Sequence, residues 1–394
     1  MRSSSSRHGV PGDRIRLGQI GRASTYVIAA LLSLAILVAF GYGWKNYRDL
    51  NGGLQKFQLN SLNKPPATVK GGKTVTHKEG SAQNILIVGL DDRAGLTAAQ
   101  IKAYHTGTDV SDSTDSIMIV HVPADGTKAT LISIPREAYV DIPGYKKNLI
   151  NAAYADGKDV GGTGTAAQRQ GEGFDLLVQT VEQLTGLSVN HFVAVGFSGF
   201  VAIADAIHGV EVNLCYSQDD RYSGLHVPAG PQRLDGAQSL AFVRQRHNIN
   251  GGQSSDLTRA ERQRYFLAAA FKQIASIGVL TNPGKLSALI KAVTGSIYVD
   301  EGFSLVTLAE QMADLSAGNI NGHVIPTTGD VTTLEGQDGL GVKPAKVQAF
   351  VQNLLYPPAK NRKPSSSASG SSSASPSTSP SSSSGAVLTK GCIH

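Results

Sequence analysis

Between Ser239 and Gln263 the chain reads SLAFVRQRHNINGGQSSDLTRAERQ, a short stretch that gathers Arg244, Arg246, Arg259, Arg262, the carboxylate of Asp256 and the amide of Gln263. Planar guanidinium groups meet phosphate oxygens two at a time, so such a cluster is chemistry for a polyanion. If Phe242–His247 is extended, Arg244 and Arg246 project from one face, because side chains two apart in a strand point the same way. Beyond the glycine turn, helical spacing places Asp256, Arg259 and Gln263 on one face at i, i+3 and i+7, with Arg262 beside them. A helix starting near Asp256 also offers unpaired backbone N–H groups at its N-terminus. The same residues read alternatively as a surface helix with i, i+3 salt bridges, but the paired arginines upstream favour the anion socket.

Two further segments carry groups that suit a phosphate site. NILIVGLDDR ends an apolar run on Asp91, Asp92 and Arg93, and SDSTDSIMIVHV opens the next with Asp115. Carboxylates at strand ends of an α/β sheet face the ligand crevice. Mg2+ binds through one or two carboxylates plus phosphate oxygens, so Asp91 and Asp115 suit a metal bridging protein to pyrophosphate. Turn-forming or capping aspartates read the same way in sequence. Arg136 follows a strand and a proline, and either holds a phosphate or pairs with Glu137 or Asp141. His247 has the chemistry of a general base and equally that of a structural imidazole. Other chemistries lack their signatures: no strand-to-helix GxGxxG and no GxxxxGK[ST] occur, GGTGTAAQ at 161–168 lacks the lysine, and GFSGF at 196–200 ends in Phe where GxSxG needs glycine. No CxxC or His-rich metal spacing is present.

The elements that must position these groups are legible as texture. NILIVGL, SIMIVHV and ATLISIP are Ile- and Val-rich runs ending in turn or polar residues, as buried strands do. Helical stretches are expected at Phe174–Leu184, Phe197–Ile207, Asp235–Phe242, Asp256–Ile277 and Ala345–Leu355. Strands mixed with helices predict one α/β domain over 81–357, a central sheet covered by helices on both faces as an α-β-α sandwich. Ahead of it, Tyr26–Trp44 is an uncharged apolar run close to the ~20 residues that cross a bilayer as a helix. It reads as one transmembrane helix; a cleaved signal peptide is the competing reading, although the run is long for one and no clear A-x-A site follows. Arg2, Arg7, Arg14, Arg16 and Arg22 against Asp13 keep residues 1–25 cytoplasmic and put everything after Lys45 outside. Residues 45–80 read as a juxtamembrane stalk, and 358–394, with its Ser/Pro run, as a disordered tail carrying Cys392. Cys215 and Cys392 are the two cysteines, and their positions allow either a disulfide or two free thiols. The net charge is +6, of which residues 1–50 supply +5, so the remainder is nearly neutral. A localised anion site fits that balance, and a nucleic-acid partner does not.

Taken in order, NILIVGLDDR, TDSIMIVHV, LISIPREAYVDIPG, INAAYADG, VGFSGFVAIADAIHGVEV, RLDGAQSLAFVRQRH and DLTRAERQR resemble the LytR-CpsA-Psr family of cell-envelope phosphotransferases, particularly its actinobacterial branch. The resemblance runs from about Asn84 to Leu355. It implies an α/β sandwich that binds a polyprenyl (pyro)phosphate with its tail in an apolar cavity and its phosphates on arginines and Mg2+. The implied reaction transfers a glycopolymer, as its sugar phosphate, from the lipid carrier to a peptidoglycan hydroxyl. Arg93, Arg136, Arg244, Arg246, Asp256 and Arg259 match the family's catalytic positions, and Asp91 and Asp115 its metal positions; Gln263 also matches a site motif and, with Arg262, joins the substrate-binding set. Three positions depart from the pattern: Ser113 where an arginine is common, Glu137 in place of aspartate in SIPRD, and Leu149 where a lysine often precedes INAAY, with Lys146 and Lys147 as nearby substitutes. A polyprenyl-pyrophosphate hydrolase and a noncatalytic, membrane-anchored receptor for envelope lipids or polymers are the rival readings.

Overall fold

The computed structural model describes residues 54–62, 82–93, 95–108, 111–124, 128–160, 164–247, 256–276, 282–293, 295–304, 320–357 and 391–393. The run 26–44 and the Ser/Pro run of the tail lie outside them, and among the described residues no helix is long and apolar enough to cross a membrane.

Along the chain come β1 (Gln55–Phe57), β2 (Gln83–Leu90), α1 (Ala98–Ala103), β3 (Thr114–Val122), β4 (Ala129–Ile134), β5 (Ala138–Asp141), β6 (Lys147–Leu149), α2 (Ala153–Val160), α3 (Ala166–Thr185) and β7 (His191–Val195). There follow α4 (Phe197–Ala206), β8 (Val210–Leu214), β9 (Gln218–Asp220), β10 (Leu225–Val227), β11 (Gly230–Leu234), α5 (Gly236–Arg244), α6 (Asp256–Ser276) and α7 (Pro283–Val293). The series closes with β12 (Ile297–Asp300), β13 (Ile320–Val324), β14 (Asp330–Thr332), β15 (Asp338–Gly341) and α8 (Pro344–Leu355).

The result is a mixed α/β fold on a seven-stranded sheet ordered β1-β12-β7-β2-β3-β4-β13. β2 runs antiparallel to β3 and parallel to β7, and β3 runs antiparallel to β4. Because side chains alternate along a strand, the apolar runs of β2 to β4 supply two cores. Leu86, Val88, Ile117 and Ile119 pack with Phe174, Leu177 and Val181 of α3. Ile85, Val120 and Leu131 pack with Ala268 of α6. α3 starts at a capping box made by Thr165 and Gln168 and stops at Gly186, whose φ of 72° is the left-handed conformation a helix end favours in glycine. A smaller sheet, β14-β15-β5-β6, and the antiparallel pairs β8/β11 and β9/β10 complete the described fold.

Three sequence expectations change here. Residues 54–62, read as part of a stalk, belong to the domain: β1 pairs in parallel with β12, and Leu54, Phe57 and Leu59 are buried. A three-residue strand is too short to show a period. The chain end is not wholly a loose tail, since Cys392 forms a disulfide with Cys215. Beside it, Ile393 is buried, donates its N–H to the Asn213 carbonyl at 2.7 Å and accepts from the Cys215 N–H at 2.9 Å. Finally, Phe242–Arg244 is helical and not extended. Asp235 and Gln238 cap α5 reciprocally, and the helix runs to Arg244 because Leu240, Phe242 and Val243 bury as it turns.

Candidate active site

The pairing of β2 with β3 brings two carboxylates together. Asp91 N–H donates to the Ser113 carbonyl at 3.2 Å, which extends the ladder past Leu90 and sets Asp91 near Asp115. Asp91 pairs with Arg93 at 3.0 Å and accepts from the Ser111 hydroxyl at 3.3 Å. Burial raises the Asp91 carboxyl above its usual range; Arg93 opposes that and Asp115 adds to it. Arg93 itself keeps Nε and Nη1 buried with no hydrogen-bond partner among the described residues. Asp115 accepts from Arg136 Nη1 at 2.6 Å.

Arg136, placed by the turn after β4, is also bound by Glu137, whose Oε1 accepts from Arg136 Nε at 2.5 Å. The same oxygen accepts from Arg259 Nη2 at 3.1 Å. Asp115, Arg136, Glu137 and Arg259 thus form one continuous chain of ion pairs. Burial works against the charge of Arg136, but Asp115 and Glu137 together hold its pKa above the ordinary arginine value. Glu137, a departure from the family pattern, is therefore the joint between two arginines, a role its position in sequence did not reveal.

Arg244, the last residue of α5, is aimed differently from the strand expectation. It donates to the Tyr104 and His105 carbonyls at 3.0 and 3.2 Å and lies 5.0 Å from the Phe197 ring centroid. Burial lowers its pKa, with Asp91 and Asp115 opposing. Arg246 is half-buried two residues beyond the helix end, and His247 is exposed. Asp256 is the first residue of α6. Arg262 does not join Arg259 and Gln263. It sits about 100° round the helix from Gln263, is fully buried, donates from Nη1 to Gln218 Oε1 at 3.2 Å and covers the Phe242 ring at 4.1 Å. Burial pushes its pKa down to about 10, partly opposed by Asp220. Lys146 and Lys147 do not replace a missing lysine at the site: Lys146 pairs with Glu335 at 2.5 Å and Lys147 lies over Tyr139.

A cavity of about 510 Å³ is lined by Asp115, Arg244, Arg246, Arg259 and Gln263, but not by Asp91, Arg93, Arg136 or Arg262. One wall is the sheet, with Ile85 and Ile87 of β2 and Met118 and Val120 of β3, and the opposite wall is the α6 face from Arg259 through Phe266 to Ile274. Asp115 lines the same cavity five residues before Val120, so the lining extends about 16 Å along the strand. Along α6, Arg259 and Ile274 are about 22 Å apart. Asp115, Arg244, Arg246, Arg259 and Gln263 are among the polar lining, which gathers where β3 and α6 begin; most of the remaining lining is apolar. Among the described residues no group of three acidic, His or Cys side chains stands ready for a metal. Asp91 and Asp115, near enough that Asp115 adds to the rise burial gives the Asp91 carboxyl, do fit Mg2+, which takes few protein ligands and completes its shell with phosphate and water.

Known proteins share this architecture. The chain is similar to the cell wall biosynthesis protein LcpA of Corynebacterium glutamicum, 35% identical over 356 residues, a match covering 86% of this chain and 66% of that relative. It is 34% identical over 249 residues to the polyisoprenyl-teichoic acid–peptidoglycan teichoic acid transferase TagU of Oceanobacillus iheyensis, covering 63% of this chain and 69% of that one. In fold it resembles the LytR-Csp2A-Psr enzyme from Actinomyces oris, with a TM-score of 0.53 and 19% identity over 76% of this chain and 96% of that chain. Residues 55–354, which hold the sheet, the cavity and the arginines, match the LytR_cpsA_psr family, and the chain belongs to that family.

Proposed function

We propose that this chain transfers a glycopolymer, as its sugar phosphate, from a polyprenyl-pyrophosphate carrier to a peptidoglycan hydroxyl. The observation that carries this reading is the apolar cavity whose polar end is furnished with arginines and Asp115. A ligand with a long apolar tail and a diphosphate head matches such a slot at both ends. Similarity to LcpA and TagU, the latter named a teichoic acid transferase, supports the same reaction.

The chemistry asked of the protein is positioning and charge stabilisation. The acceptor oxygen attacks the phosphorus that bears the glycan. The bond from that phosphorus to the bridging oxygen breaks, and polyprenyl phosphate departs with the hydroxyl proton. Charge spread over the nonbridging oxygens is met by Arg244, Arg246 and Arg259, and no protein nucleophile is required. Arg244 is prealigned by two backbone carbonyls, and Arg259 by Glu137. Arg93, which pairs with Asp91 at 3.0 Å and keeps two buried donors, stands behind Asp91 outside the cavity lining. Mg2+, held by Asp91 and Asp115, would neutralise diphosphate charge when bound.

The domain is read as extracytoplasmic, tethered to the cell membrane by a single helix over 26–44 with its N-terminus in the cytoplasm. The Cys215–Cys392 disulfide fits an oxidising compartment. The test is incubation of the full chain in detergent with a polyprenyl-diphosphate-linked sugar and peptidoglycan fragments, with and without Mg2+, followed by mass spectrometry. Metal-dependent sugar phosphate on the fragment is expected, and Arg246→Ala or Arg259→Ala should remove it while leaving the fold intact. Free sugar phosphate alone would instead assign a hydrolase.

A further inference from the structure

At the polar end of the cavity stands a feature that phosphate binding does not use. Tyr222, in the turn between β9 and β10, lines the cavity and yet is 57% exposed. Its ring lies against that of His247, with centroids 4.4 Å apart and planes inclined by 37°. His247 lines the same cavity. Exposed aromatic rings are normally mobile, but this pair is held from beneath on both sides. Asp220, 1% exposed, accepts from the Tyr222 N–H at 3.0 Å and from the Ser223 hydroxyl at 2.8 Å. Gly224 closes the turn at a φ of 77°, where an added Cβ would lie 2.5 Å from the His105 ring.

The His247 side is fixed through a buried amide. Gln245 Nε2 donates to the His247 carbonyl at 2.9 Å and to Gln218 Oε1 at 3.0 Å. Gln218 Oε1 is the acceptor that Arg262 Nη1 also reaches, and Gln218 begins the strand that leads to Tyr222. One buried network, Arg262–Gln218–Gln245, therefore supports both halves of the pair. That explains why a fully buried arginine lies next to the phosphate-binding face without being part of it.

Resting on the transferase reading above, we propose that Tyr222 and His247 form a stacking platform for the pyranose ring adjoining the carrier diphosphate. A diphosphate on Arg244, Arg246 and Arg259, with its tail down the cavity, has its sugar at the mouth where these rings stand. Arg221 donates to the Tyr222 hydroxyl at 3.0 Å and its guanidinium lies 4.9 Å from the ring centroid; the C–H face of a pyranose packs on the outer face of the stack, while the phenol O–H and the imidazole edge exchange hydrogen bonds with its hydroxyls. The platform selects for a sugar ring as such, and it distinguishes loaded carrier from spent polyprenyl phosphate.

The test uses titration calorimetry on the full chain in detergent with two probes, farnesyl diphosphate and farnesyl-diphospho-N-acetylglucosamine. The wild-type protein should bind the sugar-bearing probe about tenfold more tightly, the factor expected of one good aromatic contact. Tyr222→Ala should abolish that preference while leaving farnesyl diphosphate affinity unchanged, and Tyr222→Phe, which keeps the ring, should retain most of it. Equal weakening of both probes by Tyr222→Ala, or an unchanged preference, overturns the platform. If the wild type binds both probes equally, the platform falls while the diphosphate site stands. If it binds neither, the transferase reading fails and the platform with it.

Discussion

Glu137 offers the sharpest mutational test, because one oxygen joins two arginines of the site. Its Oε1 accepts from Arg136 Nε at 2.5 Å and from Arg259 Nη2 at 3.1 Å. Glu137→Ala removes both contacts, each a hydrogen bond between charged groups that contributes about 1.5–3 kcal/mol. The two losses are unequal, since Arg136 retains Asp115 at 2.6 Å, whereas Arg259 is 5% exposed and has little water to replace the carboxylate. Breaking a buried pair from one side costs about 3–5 kcal/mol. The Glu137 and Arg136 side chains are 13% and 20% exposed, so some water reaches the gap and about 3 kcal/mol is expected for Ala. Glu137→Gln keeps an acceptor oxygen without the charge and should cost about 1 kcal/mol. Urea unfolding with an unchanged m-value measures both. Transfer should fall about 100-fold in Glu137→Ala, because Arg259 loses its aim at the phosphate. Stability within about 0.5 kcal/mol of wild type in Glu137→Ala would refute the reasoning, since that is what an unimportant surface change gives.

Other outcomes follow from the same geometry. Arg262→Met should leave stability within about 1 kcal/mol of wild type, because the cost of holding a charge with its pKa pushed down to about 10 offsets the lost bond to Gln218; Arg262→Ala, which also opens a cavity, should lose about 3 kcal/mol by the same unfolding assay. Asp91→Asn should raise the melting temperature at pH 7 while abolishing transfer. The folded-state pKa of Asp91 is raised, mainly by burial, so its ionisation costs stability once pH climbs from the unfolded carboxylate range through the folded value, and the gain should vanish below that window in a melting series against pH. Cys215→Ser frees a crosslink spanning 177 residues and should cost about 2–5 kcal/mol in urea unfolding, with dithiothreitol reproducing the effect on the wild type.

Much of this was legible in the sequence, for physical reasons that also mark where legibility stops. β2, β3 and β4 stood out because strands buried on both faces are continuous apolar runs, and α6 because Asp256 opens a long stretch of helical period. The arginine cluster was visible from residue type and spacing alone. Which arginine faces the ligand was not. FVRQRH alternates well enough to suit a strand, and it is the burial of Leu240, Phe242 and Val243, in a helix opened by the reciprocal cap at Asp235 and Gln238, that carries the helix through Arg244. Arg262 sits one residue before a cavity-lining glutamine, yet its burial depends on Gln218, 44 residues away, and on Phe242. Glu137 looked like a departure from a motif because nothing local shows that its carboxylate reaches α6. Tyr222 gave no signal, since exposed tyrosines are common in turns and its partner ring is 25 positions downstream.

The most direct test of the account is a crystal structure of the protein with a polyprenyl-diphosphate-linked sugar. The tail is expected between the sheet and α6 along Ile85, Met118 and Phe266, with the diphosphate on Arg244, Arg246 and Arg259 beside Asp115. A carrier bound elsewhere, or a tail outside the cavity with the diphosphate away from Arg244, Arg246 and Arg259, would contradict it.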